Sequence, residues 1–198
     1  GNVAAVDSFS LTATEKTDIQ AKNDGIDAGT QTFADLDAKV NPVIGAVTKR
    51  TSRVVLDSDQ KPKYSLSFKK GDGKVIESVS KFILDASGNV AAVDSFSLTA
   101  TEKTDIQAKN DGIDAGTATF ADLDGVVNPV IGAVTKRTSR VVLDSEQKPK
   151  YSLSFKKGDG KVIESVSKFI LDASGNVAAV DSFSLTATEK TDIQAKND

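Results

Sequence analysis

One segment occurs three times in this sequence, and this repetition limits what the chain can fold into. Residues 1–24, GNVAAVDSFSLTATEKTDIQAKND, recur letter for letter at 88–111 and 175–198, with a period of 87 residues. The two connecting segments, 25–87 and 112–174, are nearly identical. They differ at four pairs of positions: Gln31 and Ala118, Ala38 and Gly125, Lys39 and Val126, and Asp59 and Glu146. The chain must therefore form near-identical units in series.

A period of 87 residues is long enough to bury a hydrophobic core of its own. Solenoid repeats are shorter and need their neighbours to complete a core. The sequence therefore predicts independently folded domains. We place the boundaries after Asp24 and Asp111, where Asn-Asp-Gly interrupts the pattern. Residues 1–24 are then the C-terminal strands of a preceding partial repeat, and 25–111 and 112–198 are complete repeats.

The composition argues against an enzyme. The chain contains no Cys, His, Met or Trp, so it lacks the commonest general base, the commonest transition-metal ligand and all thiol chemistry. Its net charge of −3 gives no bulk attraction to nucleic acid or to an anionic membrane. No apolar run is long enough to span a bilayer, so we expect no membrane insertion.

Residues 3–21 alternate between apolar and polar side chains, with Phe9, Leu11 and Ile19 on one face. A period of two is typical of a half-buried strand. A straight strand of this length would span roughly 60 Å, far more than a domain of this size is wide. The segment therefore either breaks near Glu15 and Lys16 or bridges two domains. We favour a break, which predicts strands at about 3–13 and 17–22.

A helix is the alternative for the same segment. Thr12-x-x-Glu15 matches a capping box, and Gly25 can follow the end of a helix. Such a helix would bury little beyond Ile19 and Ala21, which is a small apolar stripe for a packed helix. We therefore favour the strands.

The connector begins with a predicted loop at 25–30. Apolar residues at helical spacing follow, and Thr32 can cap a short helix. Because Asn41-Pro42 interrupts the spacing, we expect one or two helical turns near 33–39 and extended chain from Val43.

Three strand signals follow, at 52–56, 64–69 and 74–85. They are separated by turns that include the Gly71-Asp72-Gly73 hairpin, and a bulge is expected in the last strand. Short strands at this spacing predict an all-β fold, with tandem immunoglobulin-like β-sandwich domains in a linear array. The predicted core residues are Phe9, Leu11, Ile19, Leu56, Tyr64, Leu66, Phe68, Val79 and Phe82, with their equivalents 87 residues later.

Acidic residues cluster where the predicted loops join neighbouring repeats. Carboxylates in such a cluster can supply the oxygen ligands that Ca²⁺ requires. Their spacing matches no EF-hand loop, and turn chemistry alone also explains Asp in loops. The candidate calcium ligands are Asp24, Asp27, Asp35, Asp37, Asp111, Asp114, Asp122 and Asp124.

Basic residues surround the predicted hairpin of each repeat. They can bind a polyanion such as extracellular DNA or an acidic polysaccharide. The alternative is that they keep exposed sheet edges soluble. The candidate polyanion-binding residues are Lys69, Lys70, Lys74, Lys156, Lys157 and Lys161.

Near-identical tandem repeats of this size, rich in Thr, Ser, Val, Asp and Lys and lacking Cys, resemble the repeat arrays of bacterial biofilm-associated and other cell-surface adhesins. The resemblance rests on period and composition, so it assigns a role to no individual residue. It implies an extracellular stalk that projects a distal binding region and supports cell adhesion or biofilm formation. The anchor, in the cell wall or the outer membrane, would lie outside this sequence.

Three functional hypotheses follow. The first is a structural stalk whose partners are the neighbouring repeats of the same chain. The second is a polyanion- or carbohydrate-binding module made multivalent by repetition. The third is a self-associating fibre subunit in which a strand of one copy completes the next, because residues 1–24 alone would leave unpaired strand edges.

Overall fold

Nine strands form one antiparallel sheet in the computed structural model, which describes residues 2–197. Each strand pairs with the next along the chain, so their spatial order follows the sequence. The strands are β1 (Ala5–Phe9), β2 (Arg50–Leu56), β3 (Pro62–Lys69), β4 (Asp72–Leu84), β5 (Val90–Phe96), β6 (Arg137–Leu143), β7 (Pro149–Lys156), β8 (Asp159–Leu171) and β9 (Val177–Ser184).

Helices occur in pairs between the first and second strand of each repeat. One repeat thus runs strand, helix, helix, strand, strand, strand, and the next repeat continues the same sheet. Short 3-10 turns at Val47–Lys49 and Val134–Lys136 lead into β2 and β6. The helices are α1 (Ala13–Asp27), α2 (Phe33–Ile44), α3 (Ala100–Asp114), α4 (Phe120–Gly132) and α5 (Ala187–Asn197).

The prediction of an all-β, immunoglobulin-like sandwich is wrong. The chain is 37% helical and 39% strand, and its strands form one sheet rather than two packed sheets. Helices cover the sheet face that a second sheet would cover in a sandwich. The fold is therefore a helix-covered antiparallel sheet, with one helix pair for each repeat.

The main error lies in the exactly repeated segment. Its strand ends at Phe9, and the predicted strand at 17–22 is part of helix α1. The capping box decides the outcome: the Thr12 hydroxyl accepts from the Glu15 N–H at 3.2 Å, and the Glu15 carboxylate accepts from the Thr12 N–H at 2.8 Å. Gly25 lies inside the helix, where a Cβ would come within 2.3 Å of the Gln31 side chain.

The short helix predicted at 33–39 is longer than expected. Helix α2 continues through Pro42 to Ile44, and α4 likewise contains Pro129. An interior proline costs about 3 kcal/mol because it removes a hydrogen bond and crowds the preceding turn. In both helices the residue after the proline is a buried valine, Val43 or Val130. Packing of this last turn offsets the backbone penalty.

The strands predicted in the second half of the connector are confirmed as β2, β3 and β4. The β3–β4 turn contains Gly71 at φ +80°, and the register shifts after Ser67 show the expected bulge. Of the predicted core residues and their equivalents, the buried ones are Tyr64, Leu66, Phe68, Val79, Phe96, Ile106, Leu153 and Phe155. The partly buried ones are Phe9, Leu11, Ile19, Leu56, Phe82, Leu98, Leu143, Tyr151, Val166 and Phe169.

The two faces of the sheet differ in character. Leu66 and Val79 face the helices, so their strand neighbours Ser65 and Ser80 face the other way. On that opposite face, serines lie directly across from one another on seven successive strands. These serines are Ser65, Ser80, Ser95, Ser139, Ser154, Ser165 and Ser184. The core therefore lies on the helix side alone.

One core contains residues from both repeats, so it extends across the predicted domain boundary. Helices α3 and α4, from the second repeat, pack on strands β2 to β4 of the first. One cluster joins Leu66 and Val79 to Leu123 and Val127. The predicted boundaries, after Asp24 and Asp111, fall inside helices α1 and α3. The helix pair of the second repeat thus completes the core of the first.

Candidate functional site: the interface between repeats

The most extensive arrangement of buried side chains lies where α3 and α4 meet the preceding repeat. Ile106, Leu123 and Val127 of the helices are fully buried there. They pack against the apolar inward residues of the sheet, which are Val55, Tyr64, Leu66, Phe68, Ile76 and Val79. Burial of apolar side chains is the dominant stabilising contribution in a core of this kind. The two repeats are therefore joined by a hydrophobic core.

A close turn holds the two helices as a pair. Thr119 caps α4 by accepting from the Asp122 N–H at 3.3 Å, while the Asp122 carboxylate accepts from the Thr119 N–H at 2.9 Å. At Gly112 a Cβ would come within 2.8 Å of the Ala118 Cβ, so glycine lets the turn fold back on α3. The caps and the turn hold the helix pair in the arrangement in which it packs on the sheet.

Arg53, on β2, lies at the centre of a polar network at the edge of this core. Its guanidinium donates to both carboxylate oxygens of Asp7 on β1, each at 2.7 Å. It also donates to Asp114 at 2.8 Å and to Asn110 at 2.9 Å, both on α3. One side chain thus connects two strands of the first repeat to a helix of the second.

Arg50 adds a second guanidinium to this network. It makes a bidentate pair with Asp114, at 3.0 and 2.8 Å, and donates to the Gly73 carbonyl at 3.3 Å. Its guanidinium carbon lies 4.4 Å from the centre of the Phe68 ring, within range of a cation–π interaction. Only 2% of the Arg50 side chain and 7% of the Arg53 side chain are exposed. Buried guanidiniums need such partners to offset lost hydration.

The carboxylate of Asp114 responds to this environment. Burial by itself raises its pKa, but the hydrogen bonds and positive charges of Arg50 and Arg53 outweigh that effect. The pKa of Asp114 is therefore below its ordinary value. The ionised form of Asp114 contributes to the attachment of α3.

A separate ion pair attaches helix α4. Lys63 on β3 donates to the Asp124 carboxylate at 2.7 Å. Next to it, burial and the negative charge of Asp124 raise the pKa of the Tyr64 hydroxyl, which therefore stays protonated at neutral pH. Gln107 on α3 accepts from the Ile76 N–H at 3.0 Å, where the bulge interrupts the β3–β4 ladder. Each helix thus has its own polar attachment to the sheet.

Much of this network recurs 87 residues later in the chain. Arg140 donates to both oxygens of Asp94, at 2.6 and 2.7 Å, and to the Asn197 side chain at 2.9 Å. The Arg137 guanidinium lies 4.0 Å from the centre of the Phe155 ring. These contacts reproduce those of Arg53 and Arg50. The interface is therefore a property of the repeat.

A surface groove accompanies each of these interfaces. The first groove lies between β4 and α3, has a volume of about 400 Å³, and is lined by Val75, Ile76, Thr104 and Gln107, among other residues. The second is its counterpart between β8 and α5, with a volume of about 360 Å³. The grooves are open, and no nucleophile paired with a general base lies among their lining residues.

The structure distributes the predicted calcium ligands over separate roles. Asp35 and Asp122 cap helices, Asp24 and Asp111 accept from glutamines one turn earlier, and Asp114 and Asp124 pair with basic residues. Asp27 and Asp37 lie exposed on α1 and α2. Across residues 2–197 no three metal-ligating side chains come together. The calcium site therefore stays a prediction.

The predicted polyanion-binding lysines lie at the β3–β4 and β7–β8 hairpins. All six are exposed: Lys69, Lys70, Lys74, Lys156, Lys157 and Lys161. Strands β3 and β7 run in the same direction, since alternate strands of an antiparallel sheet are parallel to each other. The two basic hairpins therefore project from the same end of the sheet, four strands apart.

The residues that join the repeats, notably Asp7, Arg50, Arg53 and Asn110, are not among the predicted site residues. One signal was present: Asp7 lies among the apolar positions of its strand, between Ala5 and Phe9. A charged residue on an inward face needs a buried partner of opposite charge. Its partner, Arg53, likewise shares a strand face with Val55.

A comparison with models of known protein families finds no match, and a comparison with curated protein sequences finds none either.

Proposed function

We propose that this chain is a segment of a structural array, in which the number of repeats sets the reach of the protein. The main support for this proposal is the hydrophobic core that α3 and α4 form with the strands of the preceding repeat. Because neighbouring repeats share a core and a sheet, they hold a fixed relative orientation. An array of this kind acts as a continuous scaffold rather than as a flexible string of domains.

The mechanism differs from the independent beads expected from the sequence. Shared burial of Leu66, Val79 and Leu123 makes neighbouring repeats mutually dependent. The stiffness of the array then comes from the continuous sheet and the buried arginine network. In a chain of independent domains, the stiffness would depend on the linkers between them. Each period adds four strands to the sheet. At about 4.8 Å between strands this adds at most about 19 Å for each repeat, and sheet twist reduces the end-to-end gain.

Chains lengthened by one and by two whole periods test this role. We expect the maximum dimension from small-angle scattering to grow by a constant increment with each period. We also expect the urea midpoint of unfolding to rise with repeat number, because every added repeat adds one interface. Independent beads would instead give the same midpoint at every length.

The matched control is the charge reversal Asp114→Lys in each of these chains. It places a cation against Arg50 and Arg53 and should uncouple the repeats that share this interface. The midpoint should then rise less with length than in the unmodified series. A midpoint that does not depend on repeat number in the unmodified chains would refute the shared-scaffold role.

We further propose that the array is a stalk of an extracellular adhesin. The support is the resemblance of the repeat period and composition to surface adhesin arrays, together with a chain free of the oxidisable residues Cys and Met. Among residues 2–197, no helix has both the length and the apolar character to cross a membrane. An antibody against residues 25–111 should label intact, unpermeabilised cells of the source organism. Labelling only after permeabilisation would contradict this location.

A second function, polyanion binding, is favoured by the row of basic hairpins. Exposed lysines recur at the same end of the sheet, at about 19 Å intervals, and can contact one long polyanion at several points. Retention on heparin at low salt should weaken when Lys69, Lys70 and Lys74 are changed to Glu. Changing Lys61, Lys16 and Lys103, which lie elsewhere, to Glu is the charge-matched control. Equal loss in both variants would indicate bulk charge rather than a hairpin site.

A further inference from the structure

The sheet face opposite the helices, here called the open face, carries rows of uncharged residues. The serine row described above continues through Val54 to Val6, so it crosses all nine strands. A second row runs beside it, two residues further along each strand. Each of its members lies directly across from the next: Phe82, Val93, Val141, Ser152, Ser167 and Ser182. Neither row contains a charged side chain, although 27% of the residues in the chain are charged.

Charged residues at the same level of the sheet face the helices instead. Lys81, Asp94 and Arg140 lie directly across from one another on β4, β5 and β6. Lys81 also lies across from Tyr64, which is buried under the helices. The charges in this part of the sheet therefore lie on the covered face. A sheet face that only meets water commonly carries polar and charged side chains, so the lack of charge on the open face needs an explanation.

An apolar patch lies at the centre of the open face. The middle strands of the nine are β4, β5 and β6, and they contribute Phe82, Val93 and Val141 to this patch. No residue of either row is buried, whereas Leu66 and Val79 on the other face are fully buried. The patch is therefore open in the described part of the chain. An apolar centre surrounded by small polar residues is typical of a protein–protein interface.

The serines around this patch are compatible with burial. The hydroxyl oxygens of Ser80 and Ser95 lie 3.4 Å apart, and those of Ser167 and Ser182 lie 3.0 Å apart. A hydroxyl that is hydrogen-bonded within its own sheet keeps a partner when water is displaced from the face. Serine is also short, so a second sheet can approach to the distance of about 10 Å that separates packed sheets.

We propose that two copies of this chain dock face to face through their open faces. A two-fold axis near Val93 places the apolar patch of each copy against that of the other, because an isologous interface joins the same surface on both molecules. Neither row carries a charge that would repel its copy. Two sheets of the same twist pack with their strands at about 30° to each other. The dimer then has four layers, in the order helices, sheet, sheet, helices.

The size of the open face suits a stable dimer. Nine strands at about 4.8 Å from one another span roughly 43 Å, and residues 91–95 extend over roughly 17 Å of β5. The open face of one copy therefore measures roughly 700 Å², and the dimer would bury roughly 1,400 Å² in total. Stable interfaces bury about 1,200–2,000 Å². Each further period adds four strands to the face, so association should tighten as repeats are added.

Sedimentation velocity over a wide concentration range tests the proposal on the full chain. The unmodified protein should form a dimer as its concentration rises. Val93→Lys places an unpaired charge at the centre of the contact, once from each copy, and should weaken association by about a hundredfold or more. The matched control is Val134→Lys, because Val134 is 40% exposed in the 3-10 turn before β6 and lies outside both rows. This control should leave association unchanged.

Urea denaturation of dilute protein separates a lost contact from lost folding. Val93→Lys removes apolar contacts with Phe82 and Val141 in its own sheet, so some loss of stability is expected. Ser139→Lys is therefore a second variant, which adds a charge to the serine row without removing an apolar side chain. It should also weaken association, while the urea midpoint of the monomer stays close to that of the unmodified protein.

A single introduced thiol identifies the contact surface. The chain has no cysteine, so Ser95→Cys supplies one thiol, in the middle of the open face. Its reaction with a maleimide should slow severalfold when the protein concentration is raised until the dimer forms. Ser87→Cys, in the exposed turn between β4 and β5, is the control and should react equally fast in monomer and dimer. Pairing of sheet edges would leave the thiol of Ser95→Cys accessible.

Three outcomes would overturn this proposal. One is a protein that stays monomeric at every concentration. Another is association that neither Val93→Lys nor Ser139→Lys weakens, and the third is a thiol of Ser95→Cys that reacts as fast in the oligomer as in the monomer. The structural role is tested separately, because it depends on the core between repeats and not on the open face. A monomeric chain whose urea midpoint still rises with repeat number would refute the docking and leave the structural role intact.

Discussion

Helices α1 and α3 have the same sequence and the same cap, yet they occupy different environments. Ile106 and Asn110 of α3 are fully buried, whereas Ile19 of α1 is partly exposed and Asn23 is exposed. Helix α3 packs on the sheet of the preceding repeat, whereas α1 covers no sheet among the described residues. The comparison shows that the segment forms its helix from local signals, whereas its burial depends on a neighbour that lies outside the segment.

The ion pairs also fall into two groups: those formed within one repeat and those formed between two repeats. The contact of Lys49 with Glu15 is repeated by Lys136 with Glu102, so this attachment belongs to each repeat separately. It lowers the pKa of Glu15 to about 2, mainly through the Lys49 ammonium and the Thr12 N–H. The pairs made by Asp114, in contrast, need the preceding repeat. The Lys–Glu contact within a repeat therefore occurs in both repeats, whereas the pairs of Asp114 join one repeat to the next.

The largest difference between the two helix pairs should appear when a core leucine is shortened. Leu123→Ala should lower the free energy of unfolding by about 3 kcal/mol, because the fully buried side chain leaves a cavity. Leu36→Ala, at the equivalent position, should cost less than about 1 kcal/mol because Leu36 is already partly exposed. Urea denaturation at low protein concentration measures both. Equal losses would mean that the helix pairs are equivalent.

A smaller difference is expected for the carboxylates. Asp114→Asn should cost about 2 kcal/mol because it leaves two buried guanidiniums with less compensation. Asp27→Asn should leave the free energy of unfolding nearly unchanged, since Asp27 is exposed and takes part in no ion pair among the described residues. Urea denaturation at low protein concentration measures the effect of both substitutions. A large effect of Asp27→Asn in dilute protein would contradict the assignment.

The contribution of Asp114 should also depend on pH. Its pKa is lower in the folded protein than in the unfolded chain, so its stabilisation is complete above the unfolded value of about 3.9. It disappears as the pH falls through the folded pKa. The difference in unfolding free energy between the unmodified protein and Asp114→Asn should therefore be constant above about pH 5 and shrink in acid. A difference that grows in acid would contradict this pairing.

The smallest effect is expected at the helix caps. Thr99→Ala removes the capping box of α3 and should lower the free energy of unfolding by about 1 kcal/mol. Thr12→Ala removes the same cap from α1, where the helix covers no sheet. It should mainly speed amide hydrogen exchange in the first turn of α1. A global effect as large as that of Thr99→Ala would indicate that α1 also belongs to the cooperative core.

Much of the sheet could be predicted from the sequence. The alternation of Tyr64, Leu66 and Phe68 and the turn at Gly71 are local signals, and they identified β3, β4 and their bulge. The cap at Thr12 was visible as well. This cap was given too little importance as evidence for a helix, because the apolar stripe of α1 is too small to pack within a single repeat. That stripe is sufficient only when the neighbouring repeat contributes the opposing surface.

The interface could not be predicted, because its partners are far apart in the sequence. Arg53 meets Asp7 on one side and Asp114 on the other, and nothing local relates these three residues. The assumption that each period folds alone also hid the pairing, since it placed the acidic residues in loops between domains. The period itself carried the missing information: a helix pair in one repeat can cover the sheet of another when their spacing is constant.

The regular placement of this interface has a consequence for how the gene can change. Because every segment recurs after 87 residues, in-frame loss of one whole period from any starting point rejoins two equivalent positions. The shortened product keeps its strand order, and every helix pair that follows a sheet still packs on strands of an equivalent sequence. Gain of a period has the same property. Recombination between copies can therefore alter the length of the molecule in whole steps without creating a junction that the fold has not already accommodated.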